Sequence, residues 1–206
     1  MQKCARELNG INVRSEKKFV ERSLNKADFQ TAACTVCEKL RDFLTEGIDR
    51  DAVYITVYQR YDEKGCDLCR MIAYSSTHEP TSYENRYPIP AFSKDNLKKI
   101  EYHTYIFSEG RKDIIILPDY QAVQDAFIIH PGCEIRERQI TQYICVPISP
   151  AKQGVTFLLQ VDTNVPGLFG KDYGSIEEFA KNTIYPFAQF LHMIYEEART
   201  TKQLIQ

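Results

Sequence analysis

A mixed α/β (α+β) domain built on one antiparallel sheet is the architecture this sequence predicts, and three observations predict it. Residues 52–61 (AVYITVYQRY) and 67–76 (DLCRMIAYSS) are β-branched and aromatic runs on either side of the turn-forming Asp62-Glu63-Lys64-Gly65. Residues 140–148 and 155–162 repeat that character across a short gap. Long stretches with apolar residues at three- and four-residue steps, 15–44 and 175–204, bracket all four runs. Four strong strands with connections suited to antiparallel pairing do not make a parallel doubly wound sheet.

The first helix is expected over 15–44. Its apolar positions are Phe19, Val20, Leu24, Ala27, Ala33, Val36, Cys37, Leu40, Phe43 and Leu44, and Gly47 suits its C-terminal end. Charges concentrate in its first half, at Arg14, Glu16, Lys17, Lys18, Glu21 and Arg22, so residues 1–27 are expected to form a helical extension. The 52–76 hairpin follows. Residues 77–94 contain Pro80, Pro88 and Pro90 and read as loop. A short helix over 95–101, capped by Ser93, and a short strand over 102–107 come next. Asp113-Ile114-Ile115-Ile116-Leu117 is a buried-strand pattern, and 121–129 a short helix stopped by His130-Pro131-Gly132. After the second strand pair, Ser175-Ile176-Glu177-Glu178 has the spacing of a capping box. The stripe Ile176, Phe179, Ala180, Thr183, Ile184, Phe187, Phe190, Leu191 and Ile194 then defines the last helix, with Pro186 inside it as a kink site. Residues 199–206 are its polar end.

Composition narrows the function. The chain has 206 residues, 43% hydrophobic and 26% charged, with a net charge of −2. That charge gives no electrostatic case for nucleic acid or an anionic membrane. No apolar run approaches the roughly 20 residues of a membrane span, and the first residues lack the apolar core of a signal peptide, so a cytoplasmic location is expected. Seven cysteines with no such signal argue for reduced thiols. Only 9 glycines are present, and none forms a phosphate-binding loop.

Two CxxC pairs, Cys34/Cys37 and Cys66/Cys69, raise zinc or thiol redox chemistry. The first lies within a helical stripe. The second straddles a turn and an apolar strand face, where Cys69 alternates with Met71 and Ala73. Both contexts suit packing, since cysteine behaves as a small hydrophobe, and no resident metal or cofactor is expected. His78, His103, His130 and His192 are scattered. No GxSxG or HExxH motif occurs, and no acid/base pair stands out, so binding rather than catalysis is expected.

Tyr143-Ile144-Cys145-Val146-Pro147-Ile148, the Gly-started run 154–162, Phe169-Gly170-Lys171-Asp172-Tyr173 and the terminal helix follow one another in an order that resembles the GAF domain family, over residues 28–198. The resemblance implies five or six antiparallel strands, with the N- and C-terminal helices together on one face and the irregular middle making a pocket on the other. It implies a sensor of small molecules, or a dimerisation module. Val165-Pro166-Gly167-Leu168-Phe169-Gly170-Lys171-Asp172 departs from the Asn-Lys…Phe…Asp-Glu pattern of cyclic-nucleotide-binding members. No Cys-His dipeptide for bilin attachment is present, and neither is the cysteine pattern of the methionine-sulfoxide-reducing members.

Strand alternation assigns the two faces. Ile144, Val146 and Ile148 should meet the helices. Tyr143, Cys145 and Pro147, with Thr156, Leu158 and Gln160, should face the ligand, and the resemblance to GAF domains adds Asp119, Tyr120 and Phe127 around the short middle helix. The expected assembly is a homodimer through the terminal helices, which would carry ligand state to a fused or associated output domain. A ligand-free dimerisation module and a zinc or thiol protein are the alternatives.

Overall fold

The computed structural model describes residues 26–63, 66–75, 89–90, 113–126, 139–149 and 155–205. The elements are α1 (Lys26–Leu44), a 3-10 turn at Arg50–Ala52, β1 (Val53–Glu63), β2 (Cys66–Ser75), β3 (Ile89–Pro90), β4 (Ile115–Leu117), α2 (Tyr120–Ala126), β5 (Gln142–Ile148) and β6 (Phe157–Thr163). The terminal helix is α3 (Tyr173–Phe179), a π turn (Ala180–Ile184) and α4 (Tyr185–Ile205). The expected helix 95–101, the strand 102–107 and the helical residues before Lys26 lie outside the described residues.

The strands form one sheet in the order β3-β2-β1-β6-β5-β4, with every neighbouring pair antiparallel. The 52–76 hairpin and the 140–148 and 155–162 strands therefore share one antiparallel sheet, as expected. The hairpin strands run further into the turn than the sequence suggested. Asp62 pairs with Asp67 and Glu63 with Cys66, so cross-strand hydrogen bonding outweighs the turn preference of Asp62 and Glu63.

Both terminal helices cover the same face. Ala33, Val36, Cys37 and Leu40 of α1 join Ile184, Phe187, Leu191 and Ile194 of the C-terminal helix over Val53, Ile55, Val57, Ile144, Val146, Ile148, Leu159 and Val161. An aromatic triad fastens the far end, with Phe29 of α1, Phe157 of β6 and Tyr195 of α4 at centroid separations of 4.6–5.5 Å. Arg41 fastens the near end. Its side chain is only 2% exposed, its Nε donates to the Arg50 carbonyl at 2.8 Å, and its Nη2 pairs with Asp51 at 2.9 Å. Burial lowers the Arg41 pKa, and the Arg50 charge adds to that, while Asp51 works the other way.

The C-terminal helix starts three residues earlier than its sequence signal suggested. Asp172 is the cap, and Ser175 occupies the third helical position of a reciprocal capping box. The Asp172 carboxylate accepts from the Ser175 N–H at 2.8 Å, and the Ser175 hydroxyl returns a contact to the Asp172 backbone. The helical disruption expected at Pro186 is a π turn just before it. Tyr185 N–H reaches back five residues to the Ala180 carbonyl, and Pro186 has no N–H to resume the α pattern.

Candidate functional site

The opposite face of the sheet carries a different chemistry. A smaller cluster of Tyr58, Met71, Ile115, Val123, Tyr143, Cys145, Val155 and Leu158 lines it, flanked by Tyr74, Leu117 and Ile140. Val123 comes from α2. The strand register arranges this face in rows. Tyr54, Asp162, Tyr143 and Leu117 lie side by side across β1, β6, β5 and β4. The next row is Tyr74, Thr56, Gln160, Cys145 and Ile115. The third is Met71, Tyr58, Leu158 and Pro147. Between Val57 and Tyr58 the β1–β2 register slips by one, which lets Met71 share this face while Ile72 and Ala73 both join the helix side.

Polar groups concentrate in the first two rows. The Thr56 hydroxyl donates to Gln160 Oε1 at 3.2 Å. Gln160 is only 7% exposed. Burial pushes the Cys145 thiol up to about 12, against a smaller opposing effect of a hydrogen bond from Tyr143. The thiol is therefore protonated at neutral pH and holds no reactive thiolate.

Tyr143, Cys145 and Gln160 thus come together on the face opposite the helices. Thr156 precedes β6 at the other end, half-buried, its N–H bonded to the Ile148 carbonyl and its carbonyl to the Arg60 N–H. Asp119 and Tyr120 open α2. Asp119 caps that helix, accepting from the Ala122 N–H at 2.8 Å, and both side chains are exposed. Phe127 lies outside the described residues. The sequence reading left out Tyr54, Thr56, Tyr58 and Asp162. The alternation that separated the faces of β5 would have found them, because Val53, Ile55 and Val57 are the buried helix-side set of β1.

Cys37 is fully buried in the helix-side core, and its thiol pKa is raised well above the ordinary 9.0, chiefly by burial. Cys34 is half-buried beside it and shifted the same way for the same first reason. Cys66 and Cys69 lie in β2. Among the described residues, no group of three or more His, Cys, Asp or Glu side chains could hold a metal ion, and no helix is long and apolar enough to cross a membrane.

No family model matches the sequence, and no curated protein does. Solved structures match the fold at low identity. The GAF domain of a phosphoenolpyruvate-protein phosphotransferase from Coxiella burnetii superposes with a TM-score of 0.59 at 12% identity, covering 97% of this chain and 96% of its own. A free methionine-R-sulfoxide reductase from Neisseria meningitidis, in complex with its substrate, gives 0.56 at 13% identity over 96% and 93%. The phycoerythrobilin-bound GAF domain of a cyanobacterial phytochrome gives 0.54 at 12% identity over 96% of each chain. With the strand order, the shared helix face and the second, partly polar face already described, these matches establish that this chain has the fold of a GAF domain.

Proposed function

We propose that this chain is a sensory or regulatory domain that binds a small molecule on the sheet face opposite its terminal helices and acts by binding rather than by catalysis. The observation that carries the reading is Gln160. Its side chain is 7% exposed and its oxygen is held by the Thr56 hydroxyl, a polar pair on a sheet face that a purely structural core would fill with apolar side chains. The proposed site takes in Tyr143, Cys145 and Thr156 together with Asp119, Tyr120 and Phe127. The reductase bound to its substrate and the GAF domain bound to phycoerythrobilin support small-molecule binding in this fold.

The route out is through the sheet. The ligand face and the helix face are two sides of the same strands, so a ligand that favours one packing of β1, β5 and β6 biases α1 and α4. The size of that bias is set by the ligand's differential affinity for the two packings. Residues 28–198 form the sensing unit, and the chain ends, 1–27 and 199–206, carry the bias to a fused or associated output domain across a homodimer.

A native mass spectrum of the purified protein tests this, read beside a Gln160→Leu variant. The expected result is a bound small molecule on the native chain, lost from the variant while the fold persists. A bare chain, together with a Gln160→Leu variant more stable than the native protein, supports the second reading, a ligand-free dimerisation module. Exposed Tyr185 and Met193 on α4 favour that reading.

A further inference from the structure

Gln142 sits where the two faces of the sheet are joined. It opens β5, its side chain is 2% exposed, and both ends of its amide are bonded. Nε2 donates to the Pro118 carbonyl at 3.1 Å and to the Gly170 carbonyl at 2.8 Å, one N–H for each, and Oε1 accepts from the Phe169 N–H at 2.9 Å. Pro118 stands immediately before Asp119, the cap of α2. The Asp119 carboxylate accepts from the Ala122 N–H at 2.8 Å, and its carbonyl accepts from the Val123 N–H at 3.0 Å. Val123 is buried in the cluster on the face away from the terminal helices. Phe169 and Gly170 stand just before Asp172, the cap of α3. Phe169 is buried in the helix-side core and stacks on Phe179 of α3 at a centroid separation of 5.3 Å and an interplanar angle of 14°.

We propose that Gln142 is a clip that couples α2, on one face of the sheet, to α3 and the C-terminal helix, on the other. The two carbonyls share one nitrogen on a planar amide. A displacement of about 1 Å takes either bond out of hydrogen-bonding range, and turning the amide to follow one carbonyl aims its N–H away from the other. Breaking one bond leaves a buried donor without a partner, which weakens the arrangement that holds the remaining two. The α3 side transmits such a change directly. The Gly170 backbone lies against the first turn of α3, since a Cβ there would come within 2.6 Å of Ser175 Oγ. The coupling is a property of the fold and needs no ligand. Its use in signalling rests on the ligand reading above: a molecule that orders α2 tightens α3 through this clip, beside the bias carried by the strands themselves.

Hydrogen exchange on the full chain, with no ligand added, tests the clip. Ala122→Gly loosens α2 by the penalty of glycine in a helix. The amides of α3 are then read against those of β1, which report global opening. The expected result is a rise of about threefold at residues 176–179 beyond any rise in β1, within the roughly fivefold that the α2 penalty allows. Coupling is reciprocal, so Asp172→Ala, which removes the α3 cap, is expected to raise exchange across α2 beyond β1 in the same way. Both cross-effects should vanish in a Gln142→Met background, which keeps the length of the side chain and removes all three bonds. Gln142→Asn, which draws the amide back by one methylene, serves as a second background. Cross-effects absent from the native chain overturn the proposal, and so do cross-effects that survive in either Gln142 variant. Should neither variant fold, the two native-chain measurements decide: a response in both directions supports the clip, and its absence in either overturns it. None of these outcomes depends on a bound molecule, so a failed clip leaves the ligand reading standing, and a bare chain in the native mass spectrum leaves the clip standing.

Discussion

Gln142 is the side chain that organises the end of the sheet. It is 2% exposed, at the start of β5. Its Nε2 donates to the Pro118 carbonyl at 3.1 Å and the Gly170 carbonyl at 2.8 Å, and its Oε1 accepts from the Phe169 N–H at 2.9 Å. One amide thus joins the exits of β4 and β6. Gln142→Ala leaves three backbone groups unsatisfied, and urea denaturation should show a loss of about 2–3 kcal/mol. Gly170 beside it has φ +149, and a Cβ there would come within 2.6 Å of Ser175 Oγ and 2.9 Å of the Ile176 nitrogen. Only glycine fits the turn into α3. Asp172, the cap of α3, is held below its ordinary 3.8, first by the Ser175 backbone N–H. A depressed folded pKa stabilises the fold above the unfolded value and is lost as pH falls through the folded one. Asp172→Asn should therefore flatten the loss of stability on the acid side of pH 3.8 while preserving the cap geometry. Thermal melts across that range would show an unchanged slope if the carboxylate contributed nothing.

At the scale of elements, the π turn is the informative departure from regularity. It holds one residue more than an α turn would. Ala180 and Ile184 point into the core, as do Phe187, Leu191 and Ile194 beyond it, while Lys181 and Asn182 are exposed. Packing therefore fixes the register on both sides of the turn, and Pro186 sets where the extra residue sits. Deleting exposed Asn182 should convert the π turn to a regular α turn and keep the downstream core positions in place, at a cost within about 1 kcal/mol. Deleting exposed Gln189 instead rotates the rest of α4 by about 100°. That moves Leu191 and Ile194 off the sheet and should destabilise by several-fold more. Circular dichroism melts of the two single-residue deletions distinguish them, and equal losses would mean that packing does not set the register.

For the whole molecule, the sheet has one face sealed by helices and another in which apolar side chains alternate with polar ones. The helix side also carries exposed apolar groups. Met193 is 62% exposed on α4, and Tyr185 is exposed on the same helix. A second copy of α4 could cover both, and twofold pairing is the commonest closed solution for identical chains. Sedimentation equilibrium at tens of micromolar should find a dimer that Met193→Glu shifts toward monomer without loss of helicity. A native monomer would overturn this pairing.

The sequence by itself determined the sheet, its antiparallel sense and the helix-facing side of β5, because period-two alternation and the 3.6-residue stripe are local properties of the chain. Ile144, Val146 and Ile148 could be assigned to the helices from their spacing alone. Tyr143, Cys145 and Gln160 were legible on the other face for the same reason. Only the tertiary structure decided which of those residues are neighbours. Asp162 lies beside Tyr54 and Tyr143, 108 and 19 positions away in the chain, through the register of three strands, and register is set by long-range pairing that no local pattern encodes. The cap at Asp172 was missed for a related reason. Ser175 has cap chemistry, but the turn at Gly170 and the Gln142 clip bring the chain into the helix three residues earlier. The π turn likewise needed the fold, since Pro186 signals a disruption, and the buried residues on both sides of it decide what form that disruption takes.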